Sequence, residues 1–295
     1  MLTRSTKVWL MAVLVLSLAA MAGSCGGKGP GTGENTNTGG GGTAYTPTGK
    51  EGTVKGTISF AGTVPEAKKI DTSADAACTS KSPNLMTEDS VVKDGKLANA
   101  FVYIKEGTID GGGKITATTF TVPSDPVVLD QNGCHYVPHV LGIQANQTLK
   151  VTNSDPTQHN IHPSPRVNEE WNQTQPNGAP PIEKKFARTE VLIPVKCNQH
   201  PWMKAYIGVL KHPFFAVSAA DGTFTIKGVP PGKYTIAAWH EGGATGTEKT
   251  MDVTVAANGS ATADFSFGGA GTSSNQKSSL EMMPAISFPM AGHNH

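Results

Sequence analysis

Within the stretch CNQHPWM, Cys197 to Met203, the chain places a thiol, an imidazole and a thioether. A thiolate and an imidazole three positions apart can grip one ion across a tight loop, and a thioether three further on can approach the same ion from another side. Soft sulfur with nitrogen suits copper, and two histidines, a cysteine and a distant methionine make the arrangement used for electron transfer. The second histidine must come from elsewhere. The segment NSDPTQHNIHPSP offers His159 and His162, just beyond the strand-like run QTLKVTN. In extended chain a spacing of three turns them to opposite faces, so only one should face Cys197. We take His159, because Asn160 beside it could tie the ligand loops together by hydrogen bonds. Zinc held by Cys197, His200, His159 and His162 is the alternative, with Met203 left as core packing. Zinc explains the thioether poorly.

Whether such a thiolate survives depends on the compartment. The chain opens with Arg4 and Lys7, runs through VWLMAVLVLSLAA and reaches AGSC at Cys25. This is an export signal, residues 1–24, and too short for a membrane span. AGSC resembles a bacterial lipobox, although Ala22 stands where leucine is usual. The resemblance implies that Cys25 is lipidated and anchors the protein to a membrane of the bacterial cell envelope; ordinary cleavage with Cys25 free is the alternative. Gly26 and Gly27 lack an acidic retention signal, which favours outer-membrane attachment facing the periplasm. Residues 25–50 are Gly-rich, have almost nothing to bury and read as a disordered tether reaching about 25 to 30 Å.

In an oxidising compartment the four cysteines need partners. With Cys25 lipidated an odd number remains, and Cys197 is the one embedded among metal donors. We therefore expect a Cys78–Cys134 disulfide and a Cys197 thiolate kept by metal. Loss of the signal removes Arg4 and Lys7 but no acid, which takes the net charge from +1 to about −1. That balance gives no pull on nucleic acid and leaves small molecules, metals and proteins as partners.

The donors need a rigid frame. Beyond residue 50 the chain consists of short β-prone runs punctuated by Gly and Pro: TVKGTISF, NAFVYI, TFTV (119–122), QTLKVTN, EVLIPV and YIGVL. Several alternate apolar with polar and long helical periodicity is absent, so the fold class is all-β, of the sandwich type. A second strand-rich block carries a hairpin signal at Asp221-Gly222 and a sharp turn at Pro230-Pro231-Gly232. Residues 269–295 read as a disordered tail, with Met282, Met283, Met290, His293 and His295 as incidental or loose copper donors.

The block around DGTFTI and VPPGKYTI resembles the carboxypeptidase regulatory-like domain, a small transthyretin-like β-sandwich. The first strands of that family look like GTVKGTISFAG and LANAFVYIK, both upstream here, so the domain is either split by an insertion or preceded by a separate module. CNQHPWM and HNIH, with YVPHVLGIQANQTLKVTNSDPTQHN, resemble the type 1 copper proteins of the cupredoxin family, most closely amicyanins, over residues 97–212. This resemblance implies a Greek-key sandwich and one copper, with His159, Cys197 and His200 as equatorial ligands and Met203 as the axial one. It implies single-electron exchange with a redox protein partner in the envelope, and no catalysis. Pro201 and Trp202 match the family's loop. Gln199 stands where amicyanins have proline, restoring an N–H that could point at the Cys197 sulfur. Trp202 is expected to border an apolar patch around an exposed His200 edge, where a partner docks. The expected domains are thus 51–96 as N-terminal strands, 97–212 as the copper module and 213–268 as the regulatory-like domain. His135, His139, His212 and His240 are expected to be structural. Copper storage or delivery, and carbohydrate or protein adhesion by the second sandwich, are the alternative functions.

Overall fold

A computed structural model describes residues 42–242 and 246–268; the export signal, Cys25, most of the tether and the Met- and His-containing tail lie outside the described residues. The described chain is all-β, with one short helix, Ala76–Lys81, and a single 3-10 turn, Ile115–Ala117.

The strands form two sandwiches. One is made of segments from both ends of the described chain. In its first sheet Gly52–Ala61 pairs with Thr223–Val229, with Ser260–Thr262 and with Phe265–Gly268. In its second sheet Phe101–Ile109 lies between Phe215–Val217 and Gly232–His240, and Thr247–Val255 extends the edge. Alternation does the work expected of it: every second residue along much of Thr223–Val229 is buried. Val54, Ile58, Ile104, Phe224, Ile236 and Phe265 meet in one apolar core.

The other sandwich is complete within residues 127–210. One sheet runs in the order Gln173–Gln175, His159–Pro163, Glu190–Lys196, Lys204–Leu210 and Val140–Gln144. The facing sheet runs Ile182–Lys185, Thr148–Asn153, Val127–Gln131 and Tyr136–Val137. Leu129, Leu149, Val151, Ile161, Ile193 and Ile207 fill the space between them. This inner sandwich is threaded between the two halves of the split one.

Two expected boundaries move as a result. Phe101–Ile109 belongs to the split sandwich and not to a copper module starting at 97, because it pairs with Gly232–His240 from Trp239↔Phe101 to Gly232↔Ile109, with one register shift between Thr235 and Ile236. Residues 51–96 are not one unit either: Gly52–Ala61 serves the split sandwich, whereas the helix Ala76–Lys81 reaches the inner one. TFTV forms no strand. Thr119 makes one bridge to Ala44, and Phe120 turns inward onto Tyr45 and Phe214.

The sandwiches share a seam of Phe101, Tyr103, Val140, Leu210 and Ala237. Phe101 is fully buried there, which contributes about 2–3 kcal/mol. Its ring needs Gly208 beneath it, since a Cβ at that position would come within 2.4 Å of the ring.

Candidate metal centre

Glu190–Lys196 and Lys204–Leu210 pair as a hairpin whose last register is Lys196↔Lys204, so CNQHPWM is the loop at its end. Two backbone bonds tighten that loop: Cys197 N–H donates to the Met203 carbonyl at 3.3 Å and Met203 N–H donates to the His200 carbonyl at 2.9 Å. The turn buries Cys197, His200 and Met203 and leaves Asn198, Gln199 and Pro201 outside. His159 starts the neighbouring strand, which pairs with the hairpin through Lys196↔His162.

Three donor atoms converge from these elements. His159 Nδ1 and His200 Nδ1 are 2.9 Å apart, and Cys197 Sγ lies 3.8 Å from His200 Nδ1. All three atoms fall within 4.8 Å of one another, and all three residues are buried. Met203 is fully buried in the same apolar cluster as Cys197, with Trp202 packed against it.

The outer nitrogens explain why the inner ones face each other. His159 Nε2 meets Asp155 Oδ2 at 2.8 Å, and His200 Nε2 meets Asp75 Oδ2 at 3.1 Å. A carboxylate on Nε2 holds a ring proton there and turns Nδ1 inward. The two inner nitrogens and the Cys197 sulfur form a set of donor atoms close enough for one cation to be held among them. The Nδ1 separation suits two metal–nitrogen bonds of about 2 Å meeting at roughly 90°. Soft sulfur with two imidazoles fits copper.

His162 turns away, as the spacing of three requires. Its Nε2 meets Glu170 at 2.5 Å and its Nδ1 meets Asn198 at 3.1 Å, so it does not supply a fourth donor to a zinc site. Asn160 Oδ1 accepts the N–H of Asn198 at 3.1 Å and so ties the two ligand loops together. Burial works to raise the Cys197 thiol, but hydrogen bonds from His159 and from the backbone N–H groups of His200, Asn160 and Gln199 hold it below its ordinary value.

Sequence reasoning missed the cover over this centre. Asp75 caps the helix Ala76–Lys81 through Oδ1, which accepts the N–H of Ala77 at 2.8 Å and of Cys78 at 3.2 Å. Its other oxygen reaches Thr157 Oγ1 at 2.8 Å as well as His200. Cys78 is joined to Cys134 in a disulfide, and its sulfur lies 3.9 Å from His200 Nε2. Asp155 gathers the N–H groups of Gly133 and Cys134 at 2.7 and 2.8 Å, and Lys81 Nζ at 2.8 Å. Burial raises the Asp155 carboxyl, but His159, Lys81 and those N–H groups outweigh it and hold it well below the usual carboxylate range. The only sequence signal for the cover was an aspartate just ahead of AACTSK, a weak helix start.

The expected exposed His200 edge is therefore corrected: His200 is 5% exposed, under Asp75 and the disulfide. Trp202 is half-buried, tilted against His200 at 5.0 Å between ring centroids, and its N–H donates to the Cys134 carbonyl at 3.0 Å. With Pro201 it borders a cavity of about 250 Å³ alongside Leu85, Met86 and His135. The remaining histidines stand apart from the three converging donors. His212 Nε2 meets the Ile104 carbonyl at 3.0 Å, and His135 Nδ1 meets the Gly133 carbonyl at 3.2 Å. His139 pairs with Glu241, and His240 is buried.

Residues 206–263 match the family described as polysaccharide lyase family 4, domain II. No curated protein matches the chain. Among solved structures, the chain is similar to a copper-containing nitrite reductase from Thermus scotoductus SA-01, at 21% identity over 30% of this chain and 23% of that one, with a TM-score of 0.26. It thus spans less than a quarter of that protein's length. Amicyanin in a reduced Cu(I) form is 21% identical over 30% of this chain and 85% of its own, with a TM-score of 0.26. A purple cupredoxin from Nitrosopumilus maritimus is 21% identical over 28% of this chain and 98% of its own, with a TM-score of 0.25.

Proposed function

We propose that the chain is a type 1 copper protein that carries single electrons in the bacterial cell envelope. The observation that supports this reading most is the convergence of His159 Nδ1, His200 Nδ1 and Cys197 Sγ in one buried pocket beside Met203. Bound there, copper would supply a one-electron couple. His159, Cys197 and His200 would hold it through nitrogen and thiolate, and Met203 would offer a weaker thioether donor.

The chain's own residues keep that pocket in one shape. Asp155 and Asp75 fix the two imidazoles from outside, and the Asn160–Asn198 bond fixes the loops against each other. A donor set that moves little lowers the reorganisation that electron transfer requires. The Gln199 N–H, which a proline at that position would lack, adds to the groups that favour negative charge on the Cys197 sulfur. Burial of His159, Cys197 and His200 excludes water from the pocket.

In this proposal Cys25 carries the lipid, the tether holds the folded part off the outer membrane on the periplasmic side, and the partner is a redox protein rather than a substrate. Loading the purified chain with Cu(II) tests it. An intense visible band, lost in Cys197→Ser and weakened in His159→Ala, is the expected result. A colourless protein that retains zinc would overturn it.

The match of residues 206–263 to a polysaccharide lyase domain favours a second reading for the split sandwich, glycan binding, which is compatible with the first.

A further inference from the structure

We propose that the cavity where the two sandwiches meet is a glycan-binding site for a short run of sugar rings; this rests on the second reading above and gives it a place. The cavity has a volume of about 550 Å³ and is walled by Tyr206, Trp239, Leu192, Arg166, Glu190 and Glu241. Small-molecule sites have volumes of about 300–1,000 Å³ and combine apolar walls with a few fixed polar groups.

Both halves of that description are present. Tyr206 comes from the inner sandwich and Trp239 from the split one, with ring centroids 5.1 Å apart and planes tilted by 54°. Both rings remain partly exposed, so they offer a rigid aromatic wall on which the C–H face of a sugar ring packs. The Glu241 side chain is only 5% exposed and is oriented by His139 and by Lys204 Nζ at 3.1 Å, which makes it a fixed hydroxyl acceptor. Glu190 accepts the backbone N–H groups of Arg166, Val167 and Asn168, pinning the loop that carries Arg166. The exposed Arg166 side chain stands at the rim, where its N–H donors can exchange water for sugar hydroxyls. A ring with an apolar face and a hydroxyl edge satisfies both sets of groups. A wholly apolar ligand would offer no partner to the Arg166 guanidinium at the rim.

The experiment titrates the full chain, purified in detergent, with neutral gluco-, manno-, galacto- and N-acetylglucosamine oligosaccharides, read by tryptophan fluorescence and calorimetry. At least one series is expected to bind with a Kd below about 1 mM. Arg166→Ala, on the rim, should weaken that binding about tenfold with the melting temperature unchanged, and Trp239→Ala at least as much. Cys197→Ser should leave it unaltered. Binding that survives both Arg166→Ala and Trp239→Ala overturns the cavity as the site while leaving glycan binding intact as a reading. Failure of every series to bind overturns both.

Discussion

The two sandwiches are made of the same short, alternating strands, yet they close in different ways. The inner one is finished within residues 127–210, and its donors meet because one hairpin loop lies against the next strand. The split one closes only when Gly52–Ala61 finds Thr223–Val229 and Phe265–Gly268 across the whole inner sandwich. Chemistry is thus concentrated where contacts are local, and the long-range sandwich holds the ends. A folded insert with neighbouring ends makes such closure affordable, because closure entropy grows only slowly with loop length.

The seam tests how strongly the two are joined. Phe101→Ala should cost about 4 kcal/mol in chemical denaturation, from the cavity left between the sandwiches. One shared transition is expected; an early transition confined to the split sandwich would show that the two fold independently. Removing the cover separates its roles next. Cys78→Ser with Cys134→Ser should cost about 4 kcal/mol, since the bridge spans a sequence separation of 56. The same double variant should also speed electron exchange with a soluble oxidant, because His200 loses its cover; an unchanged rate would mean that electrons leave by another face.

Acid and alkali should separate the centre from the seam. Asp155 has a folded-state value below its unfolded one, so its stabilisation is present above about pH 4 and is lost as pH falls further. Burial works to lower the seam's His139, but Glu241, with Glu88 and the Lys204 backbone, outweighs it and raises the imidazole above its ordinary value. Its stabilisation is complete below about pH 6.5 and is lost as pH rises through the folded value, with Lys204 and Glu241 as the charges that remain. Melting curves of the metal-free chain should therefore show the Asp155→Asn difference shrinking toward acid and the His139→Gln difference shrinking toward alkali. The smallest effect belongs to Asp75→Asn. Asparagine caps a helix about as well as aspartate, so the helix should hold at a cost of about 1 kcal/mol from the lost acceptor toward Thr157 and His200, while the reduction potential moves because the Asp75 charge facing His200 is gone.

The convergence of His159, Cys197 and His200 was legible in the sequence because Cys197 and His200 lie in one short loop and His159 precedes an asparagine that could tie loops. The disulfide followed from counting cysteines. What could not be read was long-range. Nothing near Asp75 indicates that its second oxygen will meet an imidazole far along the chain, whereas the pairing of Gly52–Ala61 with a strand beyond residue 220 agrees with the split that GTVKGTISFAG allowed. The β-prone run alone did not say which sandwich would take Phe101–Ile109; the resemblance of LANAFVYIK to an early strand of the regulatory-like family offered the split one, and the register agrees with it. The expected exposed His200 edge failed for the same reason: burial by a distant segment leaves no local trace.

The most direct test of the central claim is redox cycling of the copper-loaded chain with a colour-forming Cu(I) chelator present. Ascorbate should bleach the visible band, reoxidation should restore it, and the chelator should stay colourless over many cycles, as an electron carrier that keeps its metal requires. Loss of the band to the chelator on first reduction would contradict electron transfer and make the centre a site of copper delivery.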